Sequence, residues 1–196
     1  MTRILLLISL ILMLGSVATA QPHRLERALE HLRTQDWPQA LQTAGAKGSV
    51  ARDIVEWHRL RAKEGTAEDV ESFLARRPDW PGLPYLRRRN EEVIIEKSHK
   101  RVRNYFARQR PQTPEGAASL ARAHFAAGKR SEGEAELIRA WQSMAMSDET
   151  QAAYLADHAA LLRPHHGTRL SQLLWERHDV SATRMLPLVT AGERAL

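Results

Sequence analysis

From residue 23 onward, apolar side chains recur at helical spacing, and no stretch alternates apolar and polar residues as a half-buried strand would. Leu25, Ala28, Leu29 and Leu32 share one face of a helix predicted over 23–34; Val50, Ile54 and Trp57 do the same over 50–64. Thr66 reads as an N-cap, with Asp69 three residues on approximating a capping box, and Phe73 and Leu74 supply the apolar side of that helix. Pro78, Pro81 and Pro84 interrupt the pattern. A helix rich in arginine and glutamate is predicted from there to about Lys97, and another over 100–110 until Pro111 and Pro114 stop it. Segments 115–127, 131–145, 148–161 and 165–177 follow, and a last one begins near Ser181.

Short helices joined at Gly48, Gly65, Gly128 and the prolines predict an all-α fold. Its expected form is a right-handed α-superhelix, or solenoid, of short antiparallel pairs of about 30–45 residues each, tetratricopeptide-like, over residues 21–196. Asp36-Trp37-Pro38 and Asp79-Trp80-Pro81 echo each other about one repeat apart. In each, the aspartate can cap, the tryptophan can pack across the joint, and the proline suits a first helical turn. Residues 117–141 give the clearest unit. Ala117, Ala118, Leu120, Ala121, Phe125 and Ala127 line one helix, Gly128 ends it, and Ala135, Leu137, Ile138 and Trp141 face back from the next. Trp57, Phe125, Trp141 and Leu173 are the expected large core side chains.

The first twenty residues follow a different pattern. Arg3 precedes a run from Ile4 to Leu14 that is apolar apart from Ser9, Gly15-Ser16 breaks it, and Ala18-Thr19-Ala20 offers small residues before Gln21. This reads as a cleavable signal peptide over 1–20, with Gln21 the mature N-terminus and the periplasm as destination. A membrane-spanning helix needs ~20 predominantly apolar residues, more than this run provides. The absence of cysteine excludes disulfides, thiolate metal sites and cysteine-linked lipidation. Losing residues 1–20 removes one arginine and no acid, taking the formal charge from +6 to +5. Outside the cytoplasm such a balance points to anionic wall polymers or lipid surfaces, or else to a solvated arginine-rich exterior.

Little else points to chemistry. His165-His166 follows Pro164, but adjacent helical histidines diverge by ~100° and no carboxylate stands at ligand spacing; a helix start with exposed imidazoles is the simpler expectation. No nucleophile elbow and no phosphate-cradling glycine loop occurs, so neither a catalytic residue nor a cofactor is assigned. Glu91, Glu92 and Glu96 stand beside arginines and read as solvated ion pairs. The non-generic feature lies between positions 76 and 110, where eleven arginines and lysines meet four acids, with Tyr85 and Tyr105 interleaved. Arg87, Arg88, Arg89, Lys100, Arg101 and Arg103 are the candidate contacts to an anionic polymer. The alternative is a solvated face whose arginine stems cover apolar surface.

The stretch EWHRLRAKEGTAEDVESFLARRPDWPGLPYLRRRNEEVI, from Glu56 to Ile94, resembles the N-terminal helical region of soluble lytic murein transglycosylases. There a W-x-R-L-R-x-x-x-G segment leads into D-W-P-G-L-P and an arginine run. RPQTPEGAASLARAHFAAGKRSEGEAELIRAW and LLRPHHGTRLSQLLWERHDVSATRMLPLV resemble later parts of the same region, and together they span roughly 25–196. The resemblance implies a curved α-superhelix and a separate C-terminal lysozyme-like catalytic domain that carries E-S and G-L-M-Q motifs. Peptidoglycan glycan strands are the implied partner, cleaved by the whole enzyme without hydrolysis to a 1,6-anhydro sugar. Glu71-Ser72-Phe73 matches only the E-S fragment, and no G-L-M-Q follows. The catalytic domain is therefore expected to be missing and the chain to act as a scaffold, without nucleic-acid partner or stable membrane insertion. A stand-alone periplasmic helical-repeat module for protein interaction is the alternative.

Overall fold

A computed structural model of the protein describes residues 23–195; the expected signal peptide and the expected N-terminus at Gln21 lie outside the described residues. The secondary structure among these residues is helical, with no strand. In chain order the helices are α1 (residues 23–33), α2 (Trp37–Ala44), α3 (Val50–Arg61), α4 (Ala67–Arg76), α5 (Leu83–Arg89), α6 (Glu91–Ile95), α7 (His99–Phe106), α8 (Pro114–Phe125), α9 (Arg130–Ser143), α10 (Asp148–Leu162), α11 (His166–Trp175) and α12 (Asp179–Thr183). The all-α expectation holds. The helix predicted to run to Lys97 breaks instead at Asn90 (φ −112°, ψ 12°), giving α5 and α6. The chain divides after Arg89 into two compact units.

Helix starts follow local chemistry closely. Asp36 accepts from the Gln39 amide at 3.2 Å with Pro38 in the first turn, and Ser49, Thr113 and Ser147 cap α3, α8 and α10. Thr66 and Asp69 complete the reciprocal capping box. Four helix ends share one backbone motif. Gln35 (φ 57°), Lys63 (φ 69°), Gly128 (φ 72°) and Arg177 (φ 59°) are left-handed. In each case the next amide reaches back to the fifth preceding carbonyl: Asp36 to His31, Glu64 to Arg59, Lys129 to His124 and His178 to Leu173. Only one of the four is glycine, so three of these turns carry a Cβ where it is disfavoured.

In the first unit, Ala28, Ala40, Ala44 and Val55 bring α1, α2 and α3 together, with Leu32 and Leu41 packed against them. An ionic clasp joins α3 to the end of α4. The fully buried Asp53 carboxylate accepts from Arg76 at 2.9 Å and from Arg77 at 2.6 Å, while the largely buried Glu56 accepts from Arg76 at 2.5 Å. Two acids and two guanidiniums neutralise one another, the condition under which charges survive burial. Trp57 is half-buried and not in the core: its ring lies under the Arg61 guanidinium, 4.3 Å from the centroid.

In the second unit α9 packs against α8, α10 and α11. Small residues set the spacing as expected: a Cβ on Gly133 would collide with the Phe125 ring, which is only half-buried because it covers that glycine. Trp141 and Leu173 occupy the core with Leu137, Leu162, Leu170 and Met185. Trp141 stacks on Tyr154 (centroids 6.4 Å apart, 19° between planes). The indole also meets His166 at 5.5 Å between centroids and the fully buried Arg169, whose guanidinium sits 4.4 Å from the indole centroid and bonds to the Trp141 and Met144 carbonyls.

Trp141→Ala is expected to cost ~3–5 kcal/mol in urea unfolding, since it empties the largest buried volume of this unit. Arg177→Gly is expected to stabilise by ~0.5–1 kcal/mol and Gly128→Ala to destabilise by ~1 kcal/mol, because one relieves and the other introduces a Cβ at a left-handed turn. Equal effects of the same sign would contradict the shared turn geometry.

Candidate functional site

The basic stretch is largely engaged in holding the fold. Arg76 and Arg77 are committed to Asp53 and Glu56. Arg110 pairs with the buried Glu136, which also receives Arg139. Of the six candidate polymer contacts, Arg87, Arg88 and Arg89 lie on α5 in the first unit, and Lys100, Arg101 and Arg103 on α7 in the second. Arg89 is half-buried and donates through Nε to the Arg61 carbonyl at 3.2 Å, at the end of α3. Arg103 is half-buried and donates to the Ala123 carbonyl at 2.6 Å, in the last turn of α8. Both guanidiniums satisfy carbonyls that a helix end leaves without an intrahelical partner. Arg88 and Lys100 are exposed and donate to none of the described residues.

Glu91 corrects the expectation of a solvated ion pair. It is 1 % exposed. One carboxylate oxygen accepts from the Gln112 amide at 2.7 Å, and the other from the Thr113 amide at 3.0 Å and the Thr113 hydroxyl at 2.5 Å. The carboxylate thus braces the Pro111–Pro114 turn that launches α8, and Gly116 is glycine because a Cβ there would strike it. Burial pushes its pKa above the ordinary carboxylate value against these donors. The charge pattern around Glu91, Glu92 and Glu96 gave no sign that one of the three turns inward; that depends on where the distant residues 112–113 lie.

The histidine pair is likewise structural. His166 is buried, with Nδ1 3.1 Å from the Leu188 carbonyl, and half-buried His165 meets Gln142 at 3.0 Å, so the expected exposed imidazoles are not found. Glu71 is half-buried on α4, one turn before Arg76, whose guanidinium is held by Asp53 and Glu56.

One arrangement was missed in the sequence. Trp57 and Arg61 are four residues apart on α3, and the Arg61 guanidinium also lies 5.0 Å from the ring centroid of Tyr85 on α5. Arg61 and Tyr85 border a groove of 660 Å³ within the first unit. The W-x-x-x-R spacing was the available signal, but only the packing of α5 supplies the second ring.

Among the described residues the fold is all-helical, with arginines bonded to carbonyls at its helix ends and turns. No protein-family model, curated protein or solved structure matches the chain.

Glu91→Gln is expected to destabilise by ~1–3 kcal/mol, because one acceptor oxygen becomes an amide donor facing a backbone N–H. Glu96→Gln, on the exposed end of α6, should stay within ~0.5 kcal/mol. With its folded pKa raised, Glu91 contributes most below the unfolded carboxylate value, and this contribution shrinks as pH rises through the folded value. Urea midpoints across that interval should therefore fall in the wild type relative to Glu91→Gln.

Proposed function

We propose that this chain is an exported helical scaffold that guides peptidoglycan strands, acting as the α-superhelical part of a lytic transglycosylase and non-catalytic by itself. The observation that carries this reading is the set of basic side chains left outside the structural pairs, Arg88 on α5 and Lys100 on α7, in a chain of formal charge +6. The segments resembling the superhelical region of soluble lytic murein transglycosylases support it, as does the close helical hairpin of α8 and α9. In this reading the helix pairs continue as a right-handed, tetratricopeptide-like stack in the periplasm, and the polymer meets its exposed cations. The half-exposed Arg87 and Arg101 contribute to the field, and Arg89 and Arg103 act mainly through the helix ends they close.

A second reading, a stand-alone periplasmic protein-interaction module, draws on the second unit. Trp175 is 86 % exposed, Val180 76 % and Leu174 46 %, an apolar group at the junction of α11 and α12 of a kind that marks contact surfaces.

Retention of the purified chain on isolated sacculi is expected to fall with salt, because surface charges reach only ~8 Å at physiological ionic strength. The Arg88→Gln, Lys100→Gln double variant should weaken it further without changing the thermal midpoint. No anhydro-muropeptide should appear in the supernatant by mass spectrometry. Salt-independent retention, or none, would favour the interaction module.

A further inference from the structure

Helices α8 and α10 line a groove of 760 Å³ that lies wholly within the second unit. Glu115, Ala118 and Arg122 border it from α8, and Thr150, Tyr154 and Asp157 from α10, each set at the three- and four-residue steps of a helical stripe. Two bonds tie the helices together along one end. The Thr150 hydroxyl donates to Glu115 at 2.8 Å, and the buried Tyr154 donates its hydroxyl to the Pro114 carbonyl at 2.6 Å. Ala118 and Ala153 bring nothing larger than a methyl group to the lining.

The charge of this lining is opposite to that of the chain. Glu115, Glu149 and Asp157 meet a single arginine there, in a protein of formal charge +6. Glu149, Asp157 and Arg122 make no hydrogen bond or ion pair with any described residue. Glu149 and Asp157 stand eight positions apart on α10, ~12 Å along its axis, and the bend of that helix at His158 comes only after them. In an extended chain, residues i and i+4 point to the same side ~13 Å apart, with i+2 between them. Cationic side chains at that spacing match the two acids, and the residue between them falls over Ala118, Ala153 and Tyr154. Carbonyls along the same strand are acceptors for Arg122, which a free amine would leave unmatched. A helix, ~10 Å across, does not suit a seam whose own helices are bonded to each other.

We infer that the groove between α8 and α10 docks an extended, basic peptide segment of a partner protein. Two cationic side chains four positions apart meet Glu149 and Asp157, and an apolar side chain between them covers the alanines. This goes beyond the wall-polymer reading, which uses exposed cations on α5 and α7, and it does not involve the exposed Trp175 group.

The test is fluorescence anisotropy of the labelled peptide Lys-Ser-Leu-Ser-Lys, blocked at both ends and titrated with the purified chain. Saturable binding is expected. Lys-Ser-Leu-Lys-Ser keeps the charge but turns the second lysine to the other side of the strand, and should bind about threefold more weakly or worse. Glu-Ser-Leu-Ser-Glu should not saturate. Glu149→Gln and Asp157→Asn each remove an exposed acid and should weaken the first peptide about threefold. Ala153→Trp fills the groove from an exposed position and should abolish binding with an unchanged circular dichroism spectrum. Asp179→Asn, on α12 outside the groove, removes the same charge and should leave binding unaltered. Equal affinity for the two lysine peptides, or an equal loss in Asp179→Asn, would reduce the attraction to net charge and overturn the inference. Undiminished binding by Ala153→Trp would put the peptide elsewhere and overturn it as well. If no peptide saturates while sedimentation shows wild-type chains pairing and Ala153→Trp chains single, the occupant is a second copy and the partner segment is excluded.

Discussion

Helix ends are the constraint on which this structure depends. A chain built of helices mostly 5–15 residues long leaves a large share of its backbone donors and acceptors without intrahelical partners, and each one buried must be satisfied elsewhere. Donors at helix starts are met by short side chains, as at Asp36, Ser49, Thr66, Thr113 and Ser147. Acceptors at helix ends and in the connecting turns are met by backbone amides and, repeatedly, by arginine. Arg52 reaches the Leu41 and Gly45 carbonyls after α2, Arg89 reaches Arg61, Arg103 reaches Ala123, and Arg169 reaches Trp141 and Met144. Arg77, Arg139 and Arg184 do the same for Gly48, Pro111 and Met146 in the turns. A guanidinium suits the task because it offers several donors in a rigid plane and carries the charge that the negative end of a helix dipole favours.

This use of arginine changes the meaning of the basic composition. With no cysteine, the fold has no disulfide and relies on packing and on these charge-assisted bonds. Arg169 shows how far this goes: it is fully buried with no carboxylate partner, lies against Trp141, and is pushed down to about 10 by burial and by Arg184, yet it stays charged at neutral pH. Many of the cations that make the chain basic are therefore engaged by its own carbonyls and carboxylates, although Arg169 alone among the described ones is fully buried. What remains outside, such as Arg88, Lys100 and the stacked Arg61, is a smaller and more selective set than the raw count between positions 76 and 110 suggests.

Exposed cations on α5 and α7 act at a distance through their field, which salt screens. Arg61 is held differently, by ring contacts with Trp57 and Tyr85 within the first unit. The exposed Trp175, Val180 and Leu174 group in the second unit is of another kind, apolar and without charge.

The sequence by itself determined the helical class, most helix boundaries to within a few residues, the caps at Asp36, Thr66 and Gly128, and the burial of Trp141 and Leu173. These follow from apolar periodicity and from bonds made within one turn of chain, so the information sits in neighbouring letters. Tertiary structure decided which charges are structural. Glu91, Glu92 and Glu96 look alike in the sequence, and only the placement of Gln112 and Thr113 draws Glu91 inside. Trp57 and Phe125 carry the apolar signal of core residues, but one lies beneath Arg61 and the other covers Gly133. The ring contacts of Arg61 were half legible: Trp57 and Arg61 share a helix face by spacing, while Tyr85 arrives from a helix 24 positions further along. Local patterns set what each segment becomes. The satisfaction of buried polar groups depends on partners that only folding brings within 3 Å, so no reading of neighbouring residues reveals it.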